Sequence, residues 1–148
     1  TKLNENFFHY DIVLDAFNHG LEKGKEMKKE EAESIVADRL IERFIERANQ
    51  VYLSAKKLTE NLAKENFHAK KIYINIFHRN PKVIVVVDEN YLLDDNFVFF
   101  VYPKLNEMKN SFFKLFENTL DISLLGDENI SEELLIADGF SYSEDIAQ

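Results

Sequence analysis

Four carboxylates lie close together in the short segment DENYLLDDN, residues 88–96: Asp88, Glu89, Asp94 and Asp95. Oxygen ligands at this density are those that Mg²⁺ and Ca²⁺ prefer in proteins. The segment contains no glycine and does not match the EF-hand spacing, so a solvated acidic loop between two strands is the competing interpretation. A divalent-metal enzyme that acts on phosphate esters, with these acids as ligands, is therefore one alternative function.

The apolar residues before this segment raise a second possibility. In VIVVVDEN, residues 83–90, a buried strand leads into two acids, the pattern that presents a magnesium ligand and a catalytic glutamate in ATPases. That chemistry also requires the phosphate-binding loop G-x-x-x-x-G-K-[ST] between a strand and a helix. The nearest match, GLEKGKE at residues 20–26, is one residue short and has Glu where Ser or Thr is needed. We therefore interpret Asp88 and Glu89 as the polar end of a buried strand.

Other catalytic groups lack the partners that they need. The absence of cysteine excludes disulfides, thiolate metal sites and thiol nucleophiles. No histidine belongs to an H-E-x-x-H motif and no serine to G-x-S-x-G. Asp11, Asp15 and His19 share a helical spacing, but no Glu-x-x-His partner accompanies them. We expect a non-enzymatic protein without a cofactor.

The net charge of −9 is concentrated at the C-terminal end of the chain. Residues 121–148 carry eight Asp or Glu and neither Lys nor Arg. Acidic surfaces attract basic partners and repel nucleic acid, so this end is predicted to recognise a basic protein, with solubility alone as the alternative. The predicted contact residues are Glu132, Glu133, Asp138, Phe140 and Tyr142.

A mildly basic segment at residues 68–82 has the opposite charge. It combines cationic side chains with aromatic ones: Lys70, Lys71, Arg79 and Lys82 with Tyr73 and Phe77, and Phe67 just before them. A sheet that binds nucleic acid can have this composition, because aromatic rings stack on bases and cations contact phosphates. Nucleic-acid binding through this hairpin is the third alternative, which the net negative charge opposes.

The first half of the chain is predicted to be helical. A long helix from about Met27 to Lys64 is indicated by an apolar stripe at helical spacing, and a shorter helix with its own stripe at Phe7–Leu21 precedes it. Because the shorter helix covers only part of the stripe, we predict a homodimer through the long helix. Its predicted interface consists of Ile41, Phe44, Ala48, Val51, Ala55 and Leu58.

The second half is predicted to form a sheet. The segment KKIYINIFHRNPKVIVVVDE, residues 70–89, has the pattern of a β-hairpin. Residues 96–102, NFVFFVY, are predicted to be a buried strand, with Pro103 at the first position of a helix. Residues 120–125 alternate as another strand, and residues 133–140 are interpreted as a strand in preference to a short helix.

The predicted fold class is α+β: an N-terminal helical hairpin, then a mostly antiparallel sheet of four to five strands with one further helix, in the order α-α-β-β-β-α-β-β. A chain of 148 residues is expected to form one domain, with a helical part at 1–66, a sheet part at 67–140 and an acidic tail at 141–148. No apolar run approaches a membrane span, and the lack of cysteine fits a cytoplasmic location. The first residue is Thr1 and not Met, which leaves an upstream segment open. Antitoxin, immunity and chaperone-like proteins share this general profile.

Overall fold

A computed structural model describes the backbone of residues 31–146 and the side chains of residues 38–146. The chain divides into two compact units, residues 1–53 and residues 54–148. The predicted first helix at Phe7–Leu21, together with Asp11, Asp15 and His19, lies outside the described residues. None of the helices in the described part combines the length and the hydropathy that a membrane span requires.

The long helix is confirmed over the described residues as α1, Glu31–Lys64. Its C-terminal end is a Schellman motif: Asn66 adopts the left-handed conformation with φ 67°, and the Phe67 N–H donates to the Leu62 carbonyl over 2.9 Å. Asparagine tolerates this conformation better than most residues, which explains why the helix ends here without a glycine.

The sheet has four strands in the spatial order β3-β2-β1-β4. They are β1 (Lys71–Asn75), β2 (Lys82–Val87), β3 (Asp121–Gly126) and β4 (Tyr142–Asp145). β1 is antiparallel to both β2 and β4, whereas β2 and β3 are parallel. The α+β class and the β1–β2 hairpin are therefore confirmed, but the sheet is mixed because a helix connects the two parallel strands.

The predicted strand at residues 96–102 is wrong, because these residues belong to the helix α2, Asp95–Phe116. Its N-cap is Asp94, whose side chain accepts the Asn96 N–H over 2.9 Å. The buried side chains recur at helical spacing across the whole segment: Phe97, Val101, Leu105 and Phe112. A run that is apolar on both faces fits a buried strand and a buried helix equally well, and only the longer spacing distinguishes them.

Pro103 lies inside α2 and not at its first position, which corrects the predicted start of this helix. Proline has no N–H, so the carbonyl of Phe99 lacks its usual helical donor. The Phe99 residue is 75% exposed. Water can therefore bind this carbonyl, which makes the proline tolerable on the outer side of the helix.

The last elements also differ from their prediction. Residues 132–137 form a short helix, α3 (Glu132–Ala137), capped by Ser131, whose hydroxyl accepts the Leu134 N–H over 3.3 Å. Residues 142–145, within the predicted acidic tail, form β4 and pair with β1. The strand YSED is polar because it lies at the edge of the sheet, where it needs little apolar surface.

The two faces of the sheet carry different sets of side chains. The first face bears apolar residues that are almost completely buried: Ile72, Ile74, Val83, Val85 and Ile122. The second face bears Tyr73 and Val86, which pack with Phe140 in a smaller cluster that Ile84, Ile130 and Leu135 border. The main core therefore lies on the first face, and α3 covers only part of the second.

Asn75 connects β1 to the residue that follows α3 through a side-chain hydrogen bond. This side chain is 4% exposed, and its amide donates to the Asp138 carbonyl over 3.1 Å while its oxygen accepts the Phe77 N–H over 3.1 Å. Gly139 follows with φ 103°, and a Cβ there would lie 2.5 Å from the Asn75 amide nitrogen.

We expect Gly139→Ala to lower the free energy of unfolding by about 1–3 kcal/mol, because a side chain is strained at this φ. The chain offers a matched control in Gly126→Ala, where the added Cβ would meet the flexible end of the Glu89 side chain and φ is not positive. Urea denaturation of both variants measures the difference. Equal losses would show that the Gly139 conformation is not the cause.

Candidate functional site

Two of the four acids of the predicted metal site cap helices. Asp88 is the N-cap of a 3-10 helix, Glu89–Leu93, and accepts the Asn90 N–H over 2.8 Å. Asp94 has the same role for α2. Among the side chains at residues 38–146, no group of three or more His, Cys, Asp or Glu is placed to hold a metal ion. The geometry therefore does not bring Asp88, Glu89, Asp94 and Asp95 together as a ligand set.

Asp127, which follows β3, contacts both Glu89 just after β2 and Lys70 just before β1. One carboxylate oxygen accepts the Glu89 backbone N–H over 3.0 Å, and the other accepts from the Lys70 ammonium over 2.5 Å. The hydrogen bond from Lys70, followed by that from Glu89, lowers the pKa of Asp127. The same bond raises the pKa of Lys70, so both groups are charged at neutral pH.

Two of the four cations of the basic hairpin, Lys70 and Lys71, form ion pairs within the chain. Lys71 donates to Glu132 over 3.0 Å, and this hydrogen bond raises the pKa of Lys71. Tyr73 is only 3% exposed, and the Phe67 ring lies 5.1 Å from that of Phe97. Arg79 and Phe77 are exposed, so nucleic-acid binding through residues 68–82 stays an alternative that these contacts of Lys70, Lys71 and Tyr73 make less favourable.

Three of the five predicted partner-binding residues also have partners within the chain. Glu132 accepts from Lys71 and, over 3.2 Å, from the Tyr73 hydroxyl, and the bond from Lys71 lowers its pKa. The Tyr142 hydroxyl donates to Glu144 over 2.9 Å. Phe140 is 7% exposed in the cluster of the second face, and its role as a contact residue stays a prediction. Glu133 and Asp138 are exposed.

The residues of the predicted dimer interface are mostly covered by the single chain. Ala48, Val51, Ala55 and Leu58 are at most 1% exposed, whereas Ile41 and Phe44 are partly exposed. The argument from an uncovered apolar stripe is therefore wrong at four of its six positions, because no second chain is needed to bury them. The homodimer itself stays a prediction.

An open cleft lies on the second face of the sheet. Its volume is about 390 Å³. The residues that line it are His78, Lys82, Val83, Ile84, Asp121, Ser123, Asp138 and Phe140. The register places the half-buried Lys82 beside the exposed Asp121, and the half-buried Ile84 beside the exposed Ser123.

The prediction from sequence missed this cleft. Its residues come from the β1–β2 turn, two strands and the segment after α3. Their positions in the sequence follow no regular spacing that would predict that they lie together. The only available signal was the alternation of Asp121 and Ser123 with apolar residues in β3. Comparison with known protein families, with curated proteins and with solved structures finds no match to this chain.

Proposed function

We propose that this protein is a non-enzymatic interaction module that binds a basic protein through an acidic surface. This acidic surface consists of Asp121, Glu128, Glu133 and Asp138. The observation that carries the proposal is that all four residues are exposed, and their carboxylates form no hydrogen bond or ion pair with the described residues.

The distribution of cations supports the same proposal. Residues 115–148 contain nine Asp or Glu and no Lys, Arg or His. Four acids of this stretch form ion pairs with cations from elsewhere: Asp127 with Lys70, Glu144 with Lys56, and both Glu132 and Asp145 with Lys71. The remaining carboxylates are thus available to attract a positively charged partner, with a strength that salt reduces.

The two alternative functions have less support. A metal-dependent enzyme would need ligands that converge, and Asp88 and Asp94 instead cap helices. A nucleic-acid binder would need several free cations on one surface, and two of the four in this hairpin, Lys70 and Lys71, pair with carboxylates instead. A cytoplasmic antitoxin, immunity or chaperone-like protein remains the class that we expect.

Charge reversal tests the proposed module. We expect the triple change Asp121→Lys, Glu128→Lys and Glu133→Lys to abolish capture of basic proteins from a lysate of cells that produce this protein. The three residues are exposed, so the fold should persist by circular dichroism and melting temperature. Raising the salt concentration should also release the proteins that the wild type captures.

The matched control carries the same change of charge on another surface: Glu42→Lys, Glu46→Lys and Glu60→Lys, which are exposed positions of α1. This variant should capture the same proteins as the wild type. If both variants lose capture equally, net charge alone is responsible. If neither loses it, the acidic surface has no role in binding.

A further inference from the structure

One side of α2 exposes three large aromatic side chains. Phe99, Tyr102 and Phe113 are 75%, 50% and 53% exposed, and none of them forms a ring contact with the described residues. An aromatic side chain has about 150–250 Å² of surface, so the three together expose roughly 350 Å². The largest apolar patch of a typical monomer has about this area, and such a patch is often an interaction site.

The same side of α2 has the residue spacing of helices that pair with each other. Intervals of three, four, three and four residues separate Phe99, Tyr102, Asn106, Lys109 and Phe113. This heptad spacing keeps the five side chains in one row along the helix. The aromatic residues lie at the two ends of the row and the polar ones in the middle. A second helix with the same row, running in the opposite direction, therefore places aromatic residues against aromatic residues at both ends.

The charge of α2 also favours a second copy at this row. The chain has a net charge of −9, so the acidic surfaces of two copies repel each other. Residues 95–116 carry three Lys and two Asp or Glu, so this repulsion is absent where two α2 helices meet. An antiparallel arrangement also brings the positive end of each helix dipole close to the negative end of the other.

We propose that α2 pairs with α2 of a second copy of this chain in antiparallel orientation, with Phe113 of each chain against Phe99 and Tyr102 of the other. Asn106 then lies near the two-fold axis and fixes the register, as a single polar residue does in coiled coils. The three rings supply less than half of the about 800 Å² per partner of a standard interface. We therefore expect a dissociation constant on the order of 100 µM, so that the chains are single at low micromolar concentration.

Sedimentation velocity of the full chain from about 5 to about 500 µM tests the dimer across this dissociation constant. We expect the mass to rise from the 17.4 kDa of one chain towards twice that value. Phe113→Ser should weaken association at least tenfold, because it removes a ring from both ends of the interface. A wild type that stays at the mass of one chain would overturn the proposal.

The matched control is Leu115→Ser, which truncates an exposed apolar residue of the same helix. Leu115 lies two positions after Phe113 and therefore points in a nearly opposite direction. This variant should associate within about twofold of the wild type. Equal losses in Leu115→Ser and Phe113→Ser would show non-specific apolar association and would overturn the pairing through one side of α2.

Introduced cysteines test the orientation, because the chain has none of its own. Asn106→Cys lies near the axis and should form a disulfide between two chains, which requires Cα atoms within about 7 Å. Asn110→Cys is also exposed, but in the antiparallel dimer its two copies are about 12 Å apart along the helices, since each residue rises about 1.5 Å. Cross-linking of both cysteines at equal rates would overturn the antiparallel arrangement.

Salt separates this contact from the proposed function, on which it does not depend. Because the two chains are both acidic, added salt should strengthen the dimer, whereas it should release captured basic proteins. A dimer that salt weakens would show that the acidic surface mediates self-association, and the pairing through α2 would be wrong. Capture of basic proteins by Phe113→Ser at the level of the wild type would support two separate surfaces.

Discussion

Replacing Phe97 by alanine should lower the free energy of unfolding by about 3–5 kcal/mol, the usual range for a buried phenylalanine. Phe97 is 0% exposed, and its ring contacts those of Phe67 and Tyr91 at centroid distances of 5.1 and 5.3 Å. Truncation removes apolar area from the core and also leaves a cavity that the neighbouring rings fill only partly.

Phe99→Ala is the matched control, because Phe99 is the same residue type two positions later in α2 and is 75% exposed. We expect this change to alter the free energy of unfolding by less than about 0.5 kcal/mol. In a strand the two side chains would share a face, whereas in a helix they point in nearly opposite directions. Denaturant unfolding of both variants therefore tests directly whether residues 96–102 form a helix. Similar losses of unfolding free energy in the two variants would instead support the predicted strand.

Replacing Leu58 by glutamate should prevent folding. Leu58 is 0% exposed in the single chain, so the change removes a buried side chain at a loss of about 2–5 kcal/mol and places a carboxylate where water is excluded. The total stability of a typical domain is about 5–15 kcal/mol, so little folded protein should remain by circular dichroism and NMR. Lys57→Glu, at the exposed neighbouring position of α1, should fold normally.

The same variant separates burial within one chain from a dimer interface. If Leu58 lay between two subunits, Leu58→Glu would produce folded monomers from a wild-type dimer. Light scattering of the wild type supplies the reference, since one chain has a mass of 17.4 kDa. A wild-type dimer with a folded monomeric Leu58→Glu variant would contradict the burial described for α1.

Local sequence patterns were sufficient to predict an element when its apolar residues fit the period of a helix or of a strand, but not both. The apolar residues of α1 from Ala48 to Leu62 recur only at the spacing of a helix. The alternation of Ile72, Tyr73 and Ile74 has only the two-residue period of a strand. Residues 96–102 are compatible with both the helical and the strand period, because every position is apolar except Asn96. The N-cap at Asp94 and the helical spacing that continues past Pro103 show that these residues form a helix. The prediction missed this continuation because it placed the start of a new helix at Pro103.

Local sequence patterns were enough to predict the long helix, the β1–β2 hairpin and the acidic composition of the C-terminal end, because each depends on neighbours within a few residues. Which acids lack an ion-pair partner among the described residues could not be predicted in this way. Asp127 and Glu132 pair with lysines 57 and 61 residues away, whereas Asp121 and Asp138 line the same cleft and form no ion pair with the described residues. Ion pairs and clefts depend on strand order and on where α3 crosses the sheet, and both follow from packing of the whole chain.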